Sequence, residues 1–445
     1  MKRLRFYIHT LGCPKNEVDS NVISSILSKK GFEEVKDHTK ADIILINSCG
    51  FIQSAKEETI NTIFDYVRSK SRGQKIAVLG CLAQRYKDKL PDLIPEVDGF
   101  VGADAYSRIS EIVDSIVKGE SRNRYWGKSN SCSFLYKEGD RDTSPVNKSY
   151  TFVKIADGCS NRCSFCAIPA IKGRYVSRRL SDVVREIEGL VEAGYREIGL
   201  VSQDITAYGL DLGYRDYLYR LLLHLEKIKG DFWIRLYYLY PRRIDERILR
   251  LIGESKRIVH YLDIPIQHIS DDILRRMRRG HNSAFVERLI DKIREVIPDV
   301  VIRSAFIVGF PSEKRRDINL LKVFLKRYRL DNVGFFKYSD EEGTDAFRMT
   351  NKVNPRTIDR RYREMYEVQE RISYELNQSK IGRIYKVLID YEDEEYYTGR
   401  YYGQAPEIDG VVYIKKPRRR LKGFVECRIY KADSYDLYGT VEEGY

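Results

Sequence analysis

No apolar run in this chain reaches the ~18 residues that would suggest a membrane span, although 42% of its 445 residues are hydrophobic. The opening Met1-Lys-Arg-Leu-Arg enters a strand-like segment directly and lacks the apolar stretch and small-residue cleavage site of a secretory signal. The eight cysteines are spread along a long chain, not crowded into a small scaffold. That speaks against a disulfide framework and for metal binding or chemistry. No clear acid–base dyad stands out either. These absences lead to the expectation of a cytoplasmic, globular protein, too long for one core and so built of two or three domains. The net charge of +13 fits nucleic-acid binding or a well-solvated Lys- and Glu-rich surface.

What is present centres on Cys159-Ser-Asn-Arg-Cys163-Ser-Phe-Cys166, a C-x₃-C-x₂-C loop that follows the apolar run Tyr150 to Ile155. Three thiolates this close can hold a four-iron cluster and leave one iron open for a reacting partner. Structural zinc is the rival, but it wants four ligands. No fourth cysteine or histidine lies nearby; His260, His268 and His281 are distant in sequence.

The first ~120 residues alternate strand and helix patterns. Strands are expected at Arg5–His9, Asp42–Asn47 and Lys75–Leu79. Helical stripes run through Val22, Ile23, Ile26 and Leu27, through Ile60, Ile63, Phe64 and Val67, and through Ile109, Ile112, Val113 and Ile116. This implies an open parallel sheet of flavodoxin-like type, with helices on its faces. Cys13, Cys49 and Cys81 each follow one of these strands. Ligands bind at that edge of such sheets, so the three are expected to converge on a second metal site. Residues 121–148 read as a polar linker, with Cys132 a free surface thiol. A second βα series follows over 149–375, with strands at Thr151–Ile155, Glu197–Val201, Phe232–Tyr238, Val259–Ile264, Val300–Val308 and Asn332–Lys337. Six βα units predict a partial barrel, with its chemistry at the carboxyl ends of the strands. A charged helical stretch, Arg360 to Gln378, leads to 379–445, where five short segments of period two predict a small antiparallel β-barrel. Cys427 lies in one of them and reads as a core residue. From Lys380 onward there are twelve Lys/Arg and twelve Asp/Glu. A neutral barrel suits a basic protein better than polyanionic RNA.

The cysteine loop, with Phe165 before its third cysteine, closely resembles the radical S-adenosylmethionine superfamily. The whole arrangement is similar to the methylthiotransferases of that superfamily. Gly12-Cys13-Pro14-Lys15-Asn16, Asn47-Ser48-Cys49, Gly80-Cys81-Leu82 and Ser202-Gln203-Asp204 carry the likeness, and Gln404-Ala-Pro-Glu-Ile-Asp-Gly410 resembles a TRAM barrel. The stretches Leu11-Gly-Cys-Pro-Lys-Asn16, Ala156 to Pro169, Tyr238-Leu-Tyr-Pro241 and Tyr261 to His268 look like the RimO branch in particular.

The resemblance implies two [4Fe–4S] clusters: a radical cluster on Cys159, Cys163 and Cys166, and an auxiliary one on Cys13, Cys49 and Cys81. It implies two S-adenosylmethionine molecules per turnover, one yielding a 5′-deoxyadenosyl radical and one a methyl group. The substrate implied is the β-carbon of an aspartate in small-subunit ribosomal protein S-twelve. A donor such as flavodoxin or ferredoxin and a sulfur source are needed. Phe165, Gln203 and Arg303 are candidate cofactor contacts; Asp204, Gln267 and His268 are candidates to line the site. Asp263 reads as a hydrogen-bonding residue of the barrel. The alternatives are the same chemistry on a tRNA adenosine, or a non-catalytic iron–sulfur protein that binds RNA. The chain departs from the family at Gly309-Phe-Pro-Ser312-Glu-Lys314, where Gly-Phe-Pro-Gly-Glu-Thr is usual, and at Lys172-Gly173, where Arg-Gly is usual.

Overall fold

The computed structural model describes residues 3–120, 123–127, 134–137, 139–144 and 148–441. The first sheet holds β1 (Arg5–Thr10), β2 (Glu33–Glu34), β3 (Ile43–Ser48), β4 (Lys75–Gly80), β5 (Gly99–Val101) and β6 (Arg124–Trp126). Their spatial order is 2-1-3-4-5-6, and every pairing is parallel. β3 is buried at all six positions, as expected for a parallel strand covered on both faces. The chain leaves β1 toward β2 on one side and later returns as β3 on the other. That makes the β1–β3 boundary the switch point where the strand ends open into a crevice.

The stretch 121–148 is more than the polar linker its composition suggests. β6 adds to the first sheet, while Phe134, Tyr136 and Arg141 are buried. Arg141 donates to the Phe152 carbonyl at 2.6 Å and pairs with Glu186 at 2.9 Å. A few apolar and cationic side chains among polar neighbours sufficed to fasten the segment. Cys132 lies outside the described residues.

The second sheet uses β7 (Tyr150–Lys154), then, beyond the short pair β8 (Ala156–Asp157) and β9 (Val176–Ser177), β10 (Glu197–Val201), β11 (Trp233–Leu236), β12 (Ile258–Asp263), β13 (Val301–Val308) and β14 (Asn332–Lys337). The six strands of this sheet run in chain order from β7 to β14, all parallel, and do not close. The amphipathic helices between them bury Val183, Ile187 and Leu190, or Ile248, Leu249 and Ile252, against one face. The helix Pro355–Gln378 leads to the closed barrel of β15 (Ile384–Glu392), β16 (Tyr396–Tyr401), β17 (Val412–Lys415), β18 (Phe424–Ala432) and β19 (Leu437–Thr440). Its β17–β19 pairing is parallel, so the barrel is antiparallel at only four of its five seams.

One apolar cluster joins all three modules: Phe6 and Val22 from the first sheet, Phe152, Trp233 and Tyr261 from the second, and Val387, Leu388 and Tyr401 from the barrel. Buried ions reinforce the docking. Glu197 accepts from Arg235 and Arg400 at 2.5 Å each, and Arg400 also holds Asp390 at 2.6 Å. Part of the tail's acidic charge is thus spent inside the molecule. Among the described residues no helix is long and apolar enough to cross a membrane.

Candidate active site

Cys13, Cys49 and Cys81 follow β1, β3 and β4, three neighbouring strands, so the sheet itself brings them together. Two asparagines of the surrounding motifs staple the loops. Asn16 donates to the carbonyls of Leu11 at 2.8 Å and Ser48 at 3.2 Å; Asn47 donates to the Asn16 carbonyl at 2.9 Å. Gly12 has φ +96°, and a Cβ there would meet the Cys49 Cβ at 2.9 Å, which only glycine avoids. The Cys49 and Cys13 thiols act electrostatically on Cys81. Burial raises the Cys49 thiol, and pushes Cys81 up to about 12 despite Lys172. Thiols of this kind stay protonated until a metal displaces the proton.

The radical-type loop is pinned from both sides. The Cys159 N–H donates to the Gly173 carbonyl at 3.0 Å, and the Ser164 N–H to the Met277 carbonyl at 3.0 Å. Gly158 has φ +74°, and a Cβ there would lie 2.1 Å from the Arg174 carbonyl oxygen. Arg279 donates to the Cys163 Sγ at 3.4 Å and to the Pro265 carbonyl at 2.5 Å, with its guanidinium 4.4 Å from the Tyr240 ring. It sets a fixed cation beside the Cys163 thiol, and short-range periodicity gave no sign of it. Burial lifts Cys159 to about 11 and Cys166 to about 12. Among the described residues no three such side chains close on a single ion. Of the rival histidines, His260 pairs with Asp299 at 2.6 Å and His281 stacks on Phe285.

The chain just after β4 meets the segment that follows the cysteine loop. Cys81 packs on Ala167 and Ile171, just beyond Cys166. Beside them Lys154, Lys172, Asp19 and Asp157 form a buried quartet across the two modules. Lys154 bonds Asp19 and lies 3.4 Å from Asp157; Lys172 lies 3.5 Å from Asp19 and 3.6 Å from Asp157. Burial opposes ionisation of Asp157, but Lys154 and Lys172 outweigh it and hold the carboxyl at about 2. Lys172, where the family carries arginine, therefore keeps the charge that the quartet needs. A strap over residues 339–346 ties both triads from the other side. Glu341 pairs with Lys56 at 2.9 Å and Arg85 at 2.6 Å, Arg85 donates to the Gly50 carbonyl at 2.9 Å, and the Ala346 N–H donates to the Ser164 carbonyl at 2.8 Å.

Several sequence-based candidates have other duties. Gln203 donates to Asp157 at 3.1 Å and so braces the quartet. Asp204 is buried and accepts from Asn161 at 2.8 Å and Arg243 at 2.5 Å, which fixes the cysteine loop. His268 is fully buried. Its Nδ1 accepts the N–H groups of Ile269 and Ser270 at 2.9 Å each, and its Nε2 faces Glu313 at 3.5 Å; it is a core histidine that shapes a turn. Gln267 has φ +78°, and its backbone bridges to Phe306; the side chain makes no hydrogen bond recorded among the described residues. Arg303 pairs with Asp409 of the barrel at 2.5 Å, five residues short of the end of β13. Its role is interdomain docking, with Tyr261 donating to the same Asp409 at 2.7 Å. Phe165 packs with Met277, Ile307 and Phe310, next to the divergent turn. There Ser312 adopts φ +71°, at a cost of roughly 1–2 kcal/mol that glycine would not incur. Glu313 keeps the turn closed by accepting the Gly309 N–H at 2.9 Å and Arg361 at 2.7 Å. Cys427 is fully buried in the barrel, as expected.

Asp263 accepts the Tyr238 N–H at 3.1 Å and lies 3.9 Å from Arg303. Burial nevertheless raises its carboxyl to about 6, against the pull of Arg303. The native state thus holds a proton that the unfolded chain releases near pH 4. Stability from this group falls as pH rises from about 4 to about 6, and the penalty is complete above that. Asp263→Asn is expected to raise stability at pH 7 by on the order of 1–3 kcal/mol, with little gain at pH 4. Urea unfolding at the two pH values checks the sign.

The fold and the cysteine loop define a radical S-adenosylmethionine enzyme carrying two added modules. Known proteins bear this out. Models described as uncharacterized protein family UPF0004, the radical SAM superfamily and the TRAM domain match residues 5–102, 153–324 and 381–441. The ribosomal protein uS12 methylthiotransferase RimO of Acetivibrio thermocellus is 40% identical over 443 residues, covering 98% of this chain and 97% of that one. RimO of a Thermoanaerobacter species is 42% identical over 434 residues, covering 97% and 98%. The solved radical S-adenosylmethionine methyltransferase TsrM of Kitasatospora setae, which holds cobalamin and a [4Fe–4S] cluster, superposes with a TM-score of 0.55 at 15% identity, over 76% of this chain and 75% of that one. That likeness concerns the fold. The chain belongs to the RimO family and is a radical S-adenosylmethionine methylthiotransferase.

Proposed function

We propose that this enzyme attaches a methylthio group to the β-carbon of an aspartate in ribosomal protein uS12. The observation that supports the reading is the contact of Cys81 with Ala167, the residue that follows Cys166. One triad suits the radical step and the other the sulfur. The donor sets fit: each has three thiols, which would leave one iron of a four-iron cluster open. Cys159, Cys163 and Cys166 would hold one [4Fe–4S] cluster, which with S-adenosylmethionine would supply radical chemistry at an unactivated carbon. Cys13, Cys49 and Cys81 would hold a second, which would supply the sulfur, and a second S-adenosylmethionine would supply the methyl group.

The chain's own residues orient and insulate. Arg279 fixes Cys163, the Asp204–Arg243–Asn161 bonds fix the loop, and the Lys154–Lys172 quartet sets the two modules against each other. Phe165, packed on Met277, Ile307 and Phe310, would flank the adenine. An electron donor and a sulfur source complete the reaction in the cytoplasm. The direct test offers the reconstituted enzyme a peptide bearing the uS12 aspartate loop and, separately, hypomodified tRNA, with mass spectrometry of both. The peptide is expected to gain a methylthio group; modification of tRNA alone would overturn the reading.

A further inference from the structure

We infer that Lys15 is the anchor for the substrate's carboxylate, and so a specificity-determining residue; the inference rests on the aspartate reading above. Lys15 sits in the first turn of the helix Pro14–Lys29, two residues past Cys13. It is half-buried. Its ammonium lies 4.0 Å from the centre of the Tyr238 ring, and the Asp157 carboxylate and the side chains of Cys13 and Cys81 are near enough to bear on it electrostatically. It therefore stands between the auxiliary triad and the carboxyl end of β11.

Its partnering is unusual. The other cations nearby are paired: Lys154 and Lys172 with Asp19 and Asp157, and Arg303 with Asp409. Among the described residues no carboxylate lies within salt-bridge distance of the Lys15 ammonium and no acceptor hydrogen-bonds it. The nearby carboxylates are committed elsewhere, Asp157 to the two lysines and Gln203, and Asp263 to the Tyr238 N–H and Arg303. Tyr238 itself is held at φ +60°, a strained backbone of the kind found at functional sites.

A spare ammonium in this place answers an electrostatic problem. A cluster bound by three thiolates is an anionic surround, and a substrate aspartate brings another negative charge into it. Without a cation the carboxylate would be repelled and poorly solvated. Lysine offers three donors as a compact point charge. Holding the carboxylate fixes the adjoining β-carbon, the atom to be functionalised, while leaving its hydrogens free.

The test uses full-length, iron-reconstituted protein and two peptides of the uS12 loop, one with aspartate and one with asparagine at the target. Direct binding gives the ratio of their dissociation constants for wild type, Lys15→Met and Lys15→Arg, with iron content measured alongside. Wild type is expected to prefer aspartate by about tenfold or more, as a charge-assisted bond provides. Lys15→Met should bring the ratio to within about twofold of one at wild-type iron content, and Lys15→Arg should keep most of the preference. A preference that survives in Lys15→Met overturns the inference. So does loss of iron in Lys15→Met, regained in Lys15→Arg, with the preference intact in the protein that retains its iron; the lysine would then serve the thiolates. A wild type that binds neither peptide removes the aspartate reading itself, and the inference with it.

Discussion

Replacing Cys163 with alanine is expected to abolish 5′-deoxyadenosine formation and to lower bound iron from roughly eight to roughly four per chain. Of the three cysteines Cys159 is buried and Cys163 and Cys166 are half-buried, and the Cys163 Sγ is the one that accepts from Arg279. Alanine removes one of only three ligands, so the cluster loses a corner that no neighbouring histidine can fill: His268 is fully buried and held by backbone N–H groups, and His281 is stacked on Phe285. Cys49→Ala is expected to lose a similar share of iron while 5′-deoxyadenosine still forms and the methylthio product does not. Iron analysis and chromatography of the two variants read this crossover. Retention of 5′-deoxyadenosine by Cys163→Ala would exchange or abolish the assignments.

Glu341→Ala is expected to destabilise the protein by about 3–5 kcal/mol, because breaking a buried ion pair leaves its cations uncompensated. Glu341 is 2% exposed and serves both Lys56 and Arg85. Arg85 in turn holds the Gly50 carbonyl, one residue beyond Cys49. The same strap reaches the radical loop through Ala346 and Ser164. Glu341→Gln keeps the shape and part of the bonding, and should lose less. A lower denaturant midpoint at unchanged slope reports the stability change. A Glu341→Ala variant as stable as wild type would remove the strap from the account.

These two predictions use residues that differ in how visible they were in the sequence. The cysteine loop was legible because its ligands are local. The auxiliary triad was legible for a different reason: each member follows a strand pattern, and parallel sheets gather strand ends. The asparagines at 16 and 47 stood inside motifs, but their work as staples needs the distances between loops. Glu341, Arg85 and Lys56 read as ordinary surface charges. Their partners lie more than 250 residues away in the chain, and no periodicity reports that. Arg303 and His268 have partners that the sequence did not announce, for one reason. A polar residue in or after a strand is ambiguous until the neighbouring module is in place, and here the barrel claimed the arginine while a turn claimed the histidine.

The proposed reaction requires that hydrogen leave the β-carbon of the aspartate. A uS12-loop peptide deuterated at that carbon, incubated with reduced, reconstituted enzyme and S-adenosylmethionine, measures this directly. Deuterium is predicted to appear in 5′-deoxyadenosine, in step with methylthio addition to the peptide. A methylthio peptide formed while 5′-deoxyadenosine carries no deuterium would contradict it.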